Sequence, residues 1–118
     1  MPLLTYPIPR ADWRPLPFDG CRNVAGKVLL RLPHLTIALL HFQAGATIHE
    51  HSAAIDIDVI CLEGSGITSV GEESAFLQSG QQIRWPAGIS HRLWTEDSEM
   101  LTMMVEHTPP IPLAEHPG

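Results

Sequence analysis

Short apolar segments, separated by turn residues, fill the middle of the chain. Segments such as LTIALLHF, DVICLEG and EMLTMMVEH are rich in β-branched and other apolar residues, and glycine, serine and proline lie between them. No stretch keeps apolar residues at the i, i+3, i+4, i+7 spacing of an amphipathic helix without a breaker, so we expect at most one short helix. The pattern predicts an all-β sandwich or barrel.

Proline-rich segments flank this region at both ends. The first 19 residues carry prolines at positions 2, 7, 9, 15 and 17, and the tail TPPIPLAEHPG has a similar composition. Proline removes a backbone donor and stops helices, so both segments should be extended. We therefore predict an extended N-terminal arm over residues 1–19, a barrel over 20–107 and a C-terminal tail over 108–118.

Composition and charge narrow the class of protein. The chain has 118 residues, 44% of them hydrophobic and 17% charged, which fits one globular domain with one interior. The formal net charge of −6, with basic residues scattered, argues against a nucleic-acid partner. No signal peptide and no apolar run of roughly 18 residues is visible, which predicts a cytoplasmic protein without a membrane partner. Cys21 and Cys61 lie far apart and should be free thiols.

Histidines at two places suggest chemistry. In the segment HEH, His49 and His51 are two residues apart, so on a strand both imidazoles point to one face and Glu50 points away. Further along, Pro86 and a following glycine predict a tight turn that brings His91 to the start of a new strand. A third imidazole can then approach the first two, as ligands of one metal ion require.

These motifs resemble those of the cupin family. Its two motifs are G-x5-H-x-H-x3,4-E-x6-G and G-x5-P-x-G-x2-H-x3-N, and the stretch from Gly45 to Thr95 is similar to both in the same order. The resemblance implies a double-stranded β-helix, or jelly-roll barrel, that holds a metal through His49, His51 and His91. It also implies a homodimer.

The glutamate of the first motif, normally a fourth ligand, has no equivalent here. Counting back from Gly64 puts Ile57 at its position, whereas counting forward from His51 points to Asp56. Strand alternation favours the first count, since it places four apolar side chains inward: Ile55, Ile57, Val59 and Cys61. A one-residue bulge would instead turn Asp56 inward as the fourth ligand, and Asp58 lies one position too close to fit. Two ligand sets therefore remain open: the three histidines alone, and the three histidines with Asp56.

The ligand types limit the cofactor and the function. Imidazoles with at most one carboxylate suit one divalent transition metal, namely Fe, Mn, Ni, Cu, Co or Zn. Ile57, Val59, Cys61 and Trp85 are candidate pocket-lining residues, while no acid or base for catalysis can be assigned. The resemblance implies a metal-dependent enzyme acting on a small oxygenated molecule, most similar to a dioxygenase, with isomerase, decarboxylase or lyase activity also open. The alternative is a non-catalytic sensor or storage module that binds a metal or small ligand.

Overall fold

The computed structural model describes residues 3–108, and these residues form β-strands, turns and loops without any helix. No helix in this part of the chain is therefore long and apolar enough to cross a membrane. The strands are β1 (Arg10–Pro15), β2 (Arg22–Leu32), β3 (Leu35–His51), β4 (Asp56–Val70), β5 (Glu73–Gln78), β6 (Gln82–Trp85), β7 (His91–Trp94) and β8 (Met100–His107). The all-β prediction is confirmed.

Two long strands, β3 and β4, organise the barrel. Strand β8 lies between their first halves and pairs antiparallel with both. Strand β7 lies between their second halves in the same way. Because β3 and β4 are thus bridged twice, the sheet closes on itself as the predicted jelly-roll barrel. Strand β2 extends the sheet from β3, while β5 and β6 extend it from β4.

Each long strand bends at a glycine with positive φ. Gly45 in β3 has φ of 70° and Gly64 in β4 has φ of 77°, a backbone conformation that side chains other than glycine rarely adopt. A Cβ at Gly64 would lie 1.9 Å from the carbonyl oxygen of Glu99, so this bend also needs the absence of a side chain. The bends let one strand pair with β8 before the glycine and with β7 after it.

Hydrogen bonds of Thr95 stabilise the bend of β3. Its buried hydroxyl accepts a hydrogen bond from the Ala46 amide at 3.0 Å and donates one to the Gln43 carbonyl. The Thr95 amide in turn donates to the Ala46 carbonyl, and the Gly45 amide donates to the carbonyl of Glu96. Gly45 and Thr95, which lie at the two ends of the stretch that resembles the cupin motifs, therefore stabilise the same turn.

The core follows the alternation that the sequence predicts for β4. Ile57, Val59 and Cys61 are buried, Ile55 packs against the core, and Asp56 and Asp58 lie on the other face with part of their surface exposed. The rest of the buried apolar cluster comes from β2, β3, β5, β6, β7 and β8: Val24, Leu40, Phe42, Ala46, Ile48, Leu77, Trp85, Leu93, Met100 and Met104. The odd-numbered positions of β4 from Ile57 to Cys61 therefore face the interior.

The N-terminal arm contains a strand of its own. Within the predicted extended segment, β1 pairs antiparallel with β2 at the edge of the sheet. The residues before β1 are exposed, and those after it run back over the barrel, where Leu16 packs against the core. Of the predicted C-terminal tail, only Thr108 lies within the described residues.

Candidate functional site

The side chains of His51, which is exposed, and His91, which is buried, meet where β3 pairs with β7. The end of β3 and the start of β7 pair so that these two residues stand opposite each other. Their Nε2 atoms lie 3.3 Å apart, and their rings meet edge to face with centroids separated by 4.5 Å. Two of the three predicted ligand histidines are therefore adjacent.

The His51 ring is held by its own strand. Its Nδ1 lies 2.7 Å from the carbonyl oxygen of His49, so a neutral His51 carries its proton on Nδ1 and donates it to that carbonyl. The lone pair of Nε2 is then free on the side of His91. Metal-binding histidines commonly have this arrangement, in which a backbone carbonyl fixes the tautomer and the ring orientation.

His91 is buried and is oriented by stacking. Its ring lies parallel to that of Trp85, with centroids 3.9 Å apart and an angle of 10° between the planes. The Trp85 indole N–H donates to the hydroxyl of Thr68 at 3.0 Å, and that hydroxyl donates to the backbone carbonyl of Arg92. Among residues 3–108, no hydrogen-bond partner satisfies His91 Nδ1. The Trp85 ring is held in place by its hydrogen bond to Thr68, and it orients His91 by stacking against it.

The electrostatics of His91 favour a neutral ring. Burial lowers its pKa to about 4, and the positive charge that His51 carries when protonated lowers it in the same direction. At neutral pH the imidazole is uncharged. It is then in the protonation state that metal ligation requires.

The third histidine is close to the pair but does not join it. His49 is exposed and lines the same cavity as His51. The backbone of Gly20 packs against it so closely that a Cβ there would lie 2.6 Å from the Cβ of His49. Across residues 3–108, no three His, Cys, Asp or Glu side chains stand close enough together to hold one metal ion.

The two aspartates discussed as a fourth ligand make other contacts. Asp56 accepts a hydrogen bond from the Ala87 amide at 2.8 Å and lies 3.7 Å from a nitrogen of Arg84. Asp58 accepts two hydrogen bonds from Arg84, at 2.9 and 2.8 Å, and lies 2.7 Å from Nε2 of His107. Both carboxylates thus bind groups on the outer face of β4.

A largely apolar cavity of about 380 Å³ adjoins the histidines. Ile57 and Trp85 line it, while Val59 and Cys61 are fully buried without being part of its wall. Its lining is made up of Leu16, Phe18, Asp19, Cys21, Leu40, Ile48, His49, His51, Ile57, Trp85, Met104 and Glu106. The cavity can hold a small apolar molecule beside the adjacent imidazoles of His51 and His91.

The sequence reasoning missed two parts of this site. One is the segment of residues 16–21, which closes one side of the cavity although the sequence predicts only an extended arm over 1–19 and the barrel from residue 20. The other is Glu106, because β8 has apolar residues on both faces and its sequence does not show which face points inward. Met100, Thr102 and Met104 are buried at every second position, and Glu106 continues that series.

Comparisons with known proteins support the fold. No protein-family model matches the chain, and a search of curated proteins finds no match. Among solved structures, a conserved protein of unknown function from Streptococcus pyogenes is 26% identical, with 75% of this chain and 76% of that one covered and a TM-score of 0.68. The polyketide cyclase RemF from Streptomyces resistomycificus has a TM-score of 0.80 at 13% identity, covering 95% and 89%.

A cupin-2 domain from Rhodospirillum rubrum is also similar, with a TM-score of 0.76 at 15% identity and coverage of 92% of this chain and 76% of that one. The fold of this chain is that of the small cupin proteins.

Proposed function

We propose that this chain, which has the cupin fold, is a metal-dependent enzyme acting on a small oxygenated molecule, with dioxygenase-type oxidation as the favoured reaction. The observation that supports it most directly is the 3.3 Å separation between Nε2 of His51 and Nε2 of His91. Two imidazole nitrogens bound to one metal at about 2.1 Å, with an angle of about 105° between the bonds, are about 3.3 Å apart. The pair therefore fits two neighbouring ligand positions.

Three histidines form the proposed ligand set. His51 and His91 are already oriented, by a backbone carbonyl and by an indole ring respectively. His49 borders the same cavity and is the third ligand of the proposal. The metal is one of Fe, Mn, Ni, Cu, Co or Zn, and when bound it polarises an oxygen of the substrate or holds O2. The apolar walls exclude water and orient the rest of the substrate.

Metal analysis of purified variants tests this proposal. Protein purified without chelators should carry close to one equivalent of a transition metal per chain, and His91→Ala should retain less than about a tenth of it, because a ligand is lost. His51→Ala should behave in the same way. His34→Ala is the matched control, since His34 is exposed in the turn between β2 and β3 and should leave the metal content unchanged.

Two results would contradict the metal site. One is a wild-type protein that takes up no stoichiometric metal even after incubation with each candidate ion. The other is a folded His91→Ala variant that binds metal as the wild type does.

A non-catalytic module that binds a metal or small ligand is the second candidate. The observation that favours it is the apolar character of the cavity, since most of its lining side chains have no group that could transfer a proton. Oxygen uptake and product formation across a panel of flavonols, diketones and sulfur compounds separate the two. Turnover of any member supports the enzyme, whereas tight binding without turnover across the whole panel supports the module.

We also propose that the protein is a cytoplasmic homodimer. Leu3, Leu4 and Tyr6 in the arm are 96%, 81% and 84% exposed, and a second copy of the chain would cover such an apolar segment. Both cysteines are free thiols, as is usual in a reducing compartment.

A further inference from the structure

Glu106 places a carboxyl group in the wall of the cavity beside the histidines. It is partly buried, and among residues 3–108 no hydrogen bond or ion pair engages its side chain. A carboxyl group that is partly removed from water without a protein partner is costly, unless another molecule supplies the partner. The proposed metal ligands leave this group unused.

The position of Glu106 is fixed by strand register. In the sheet, Ile57 stands opposite Glu106 of β8 on one side and opposite Trp85 of β6 on the other. Directly paired residues point to the same face, so all three side chains face the interior. Neighbouring strands are about 4.8 Å apart, which puts Glu106 about 10 Å across the sheet from Trp85, against which His91 stacks.

This placement separates the carboxyl group from the ligand set. On the count back from Gly64, Ile57 stands at the position of the motif glutamate, and the carboxyl group of Glu106 lies one strand further away. A molecule in the cavity can therefore contact the histidines at one end and Glu106 at another.

The walls between these polar ends limit the shape of that molecule. Phe18 and Trp85 provide aromatic side chains, and Leu40, Ile48 and Met104 provide aliphatic ones. Such walls favour a ligand with a flat apolar body, because its burial gains hydrophobic free energy and polar groups along its faces would lose hydrogen bonds to water.

We propose that the cavity binds a flat, largely apolar molecule that carries a hydroxyl group, and that Glu106 recognises this hydroxyl. The inference rests on the proposed function, since it names the substrate class held beside the metal-binding histidines. Glu106 is here a binding residue that fixes the orientation of the ligand.

The protonation of Glu106 is compatible with this role. Burial raises the pKa of its carboxyl group, and the nearby positive charge of Arg31 partly opposes that shift. Either form can bind a hydroxyl group, because a carboxylate accepts its proton and a carboxylic acid can both donate and accept.

A matched pair of probes tests the recognition. We would titrate the full chain with 2-naphthol and with 2-methylnaphthalene, which has nearly the same shape but no hydroxyl group, and follow amide signals by NMR. The wild type should bind 2-naphthol more tightly. Glu106→Leu should weaken 2-naphthol by about tenfold or more and change 2-methylnaphthalene by less than about twofold, since the hydrogen bond between the carboxyl group and the hydroxyl group is lost. Glu106→Gln, which keeps hydrogen-bonding atoms, should retain most of the affinity.

Control variants separate a loss of hydroxyl recognition from a general loss of binding. Glu73→Leu, on the exposed edge of β5, should leave both probes unaffected. If Glu106→Leu does not fold, Glu106→Ala replaces it in the same comparison. Equal weakening of both probes, unchanged binding of 2-naphthol, or no binding of either probe to the wild type would overturn the inference. All titrations are repeated after dialysis against a chelator, so that loss of the metal and loss of hydroxyl recognition are read separately.

Discussion

Asp58 is the centre of a polar cluster on the outer face of β4. Its carboxylate binds the guanidinium of Arg84 through two hydrogen bonds and the imidazole of His107 through a third. Arg84 and then His107 lower the pKa of Asp58 from 3.8 to about 2, although partial burial acts in the opposite direction. The contacts hold β6 and β8 against the same residue of β4.

The acid stability of the protein should depend on this cluster. Because the folded-state pKa is lower than the unfolded one, the stabilisation is complete above about pH 4 and is lost as the pH falls to about 2. Arg84 is half-exposed, so we expect the contribution to be only about 1 kcal/mol. Asp58→Asn should lower the free energy of unfolding by about that amount at pH 6 and by much less near pH 2, measured by urea denaturation.

The exposed Asp97 provides a comparison for this experiment. Asp97→Asn should change the free energy of unfolding little at either pH. A constant difference between wild type and Asp58→Asn from pH 6 to pH 2 would show that the effect is steric rather than electrostatic.

Single residues of the site differed in how well the sequence predicted them. His51 and His91 could be paired because a turn of known chemistry precedes the second and strand spacing orients the first. Glu106 could not be assigned from its residue type, since a charged residue near the end of a strand is most often exposed. Only the burial of Met104 and Thr102, which depends on contacts with β3 and β4, shows that this face of β8 points inward.

Among the elements, β3 depends on a side chain from outside the strand. The Thr95 hydroxyl connects Gln43 and Ala46 on either side of the glycine bend. The half of β3 after this bend carries His49 and His51. The geometry of the bend therefore determines where these two residues lie in the barrel.

Replacing Thr95 by valine tests how much these hydrogen bonds contribute to the free energy of unfolding. Thr95→Val keeps the shape of the side chain but leaves the buried Ala46 amide without its hydroxyl acceptor, so we expect a loss of about 1–3 kcal/mol. Thermal and urea denaturation measure this loss of stability. Thr36→Val is the control, because Thr36 also lies in β3 and makes no side-chain hydrogen bond within residues 3–108, and it should change stability by less than about 0.5 kcal/mol. Equal effects of the two substitutions would contradict the role of Thr95.

The sequence predicted strands but divided the longest ones. The predicted segments LTIALLHF and DVICLEG end before Gly45 and at Gly64, because glycine weakens a strand and usually marks a turn. In the barrel the same residues bend β3 and β4 without ending them, since β7 and β8 continue the pairing on either side. That difference depends on partners far away in the sequence.

At the scale of the whole molecule, the N-terminal arm should control assembly. Deletion of residues 3–8 removes the exposed apolar side chains that precede β1, and the proposed dimer should then dissociate into monomers. Size-exclusion chromatography with light scattering measures the mass. The double variant Leu4→Ser, Tyr6→Ser should shift the equilibrium in the same direction with the backbone intact. A monomeric wild type, or a dimer that survives both changes, would contradict the proposal.

The barrel as a whole was predictable, but the closure of its cavity was not. Turn residues and alternating segments are local signals, and they were sufficient to predict an all-β sandwich or barrel, whereas the resemblance to the cupin motifs indicated the jelly-roll barrel. The packing of Leu16 and Phe18 over the cavity depends on how β1 pairs with β2 and on where the chain then crosses the barrel. Nothing in the proline-rich arm specifies that crossing locally.

The close approach of Gly20 to His49 has a kinetic consequence. The segment of residues 16–21 covers one side of the cavity without being a strand, and the Leu16 amide ties its start to the Val24 carbonyl. We expect a bound molecule to leave when this short segment lifts, while the strands of the barrel stay paired. Its residence time is then set by local opening of a few residues, so that ligand exchange and barrel stability can change independently of each other.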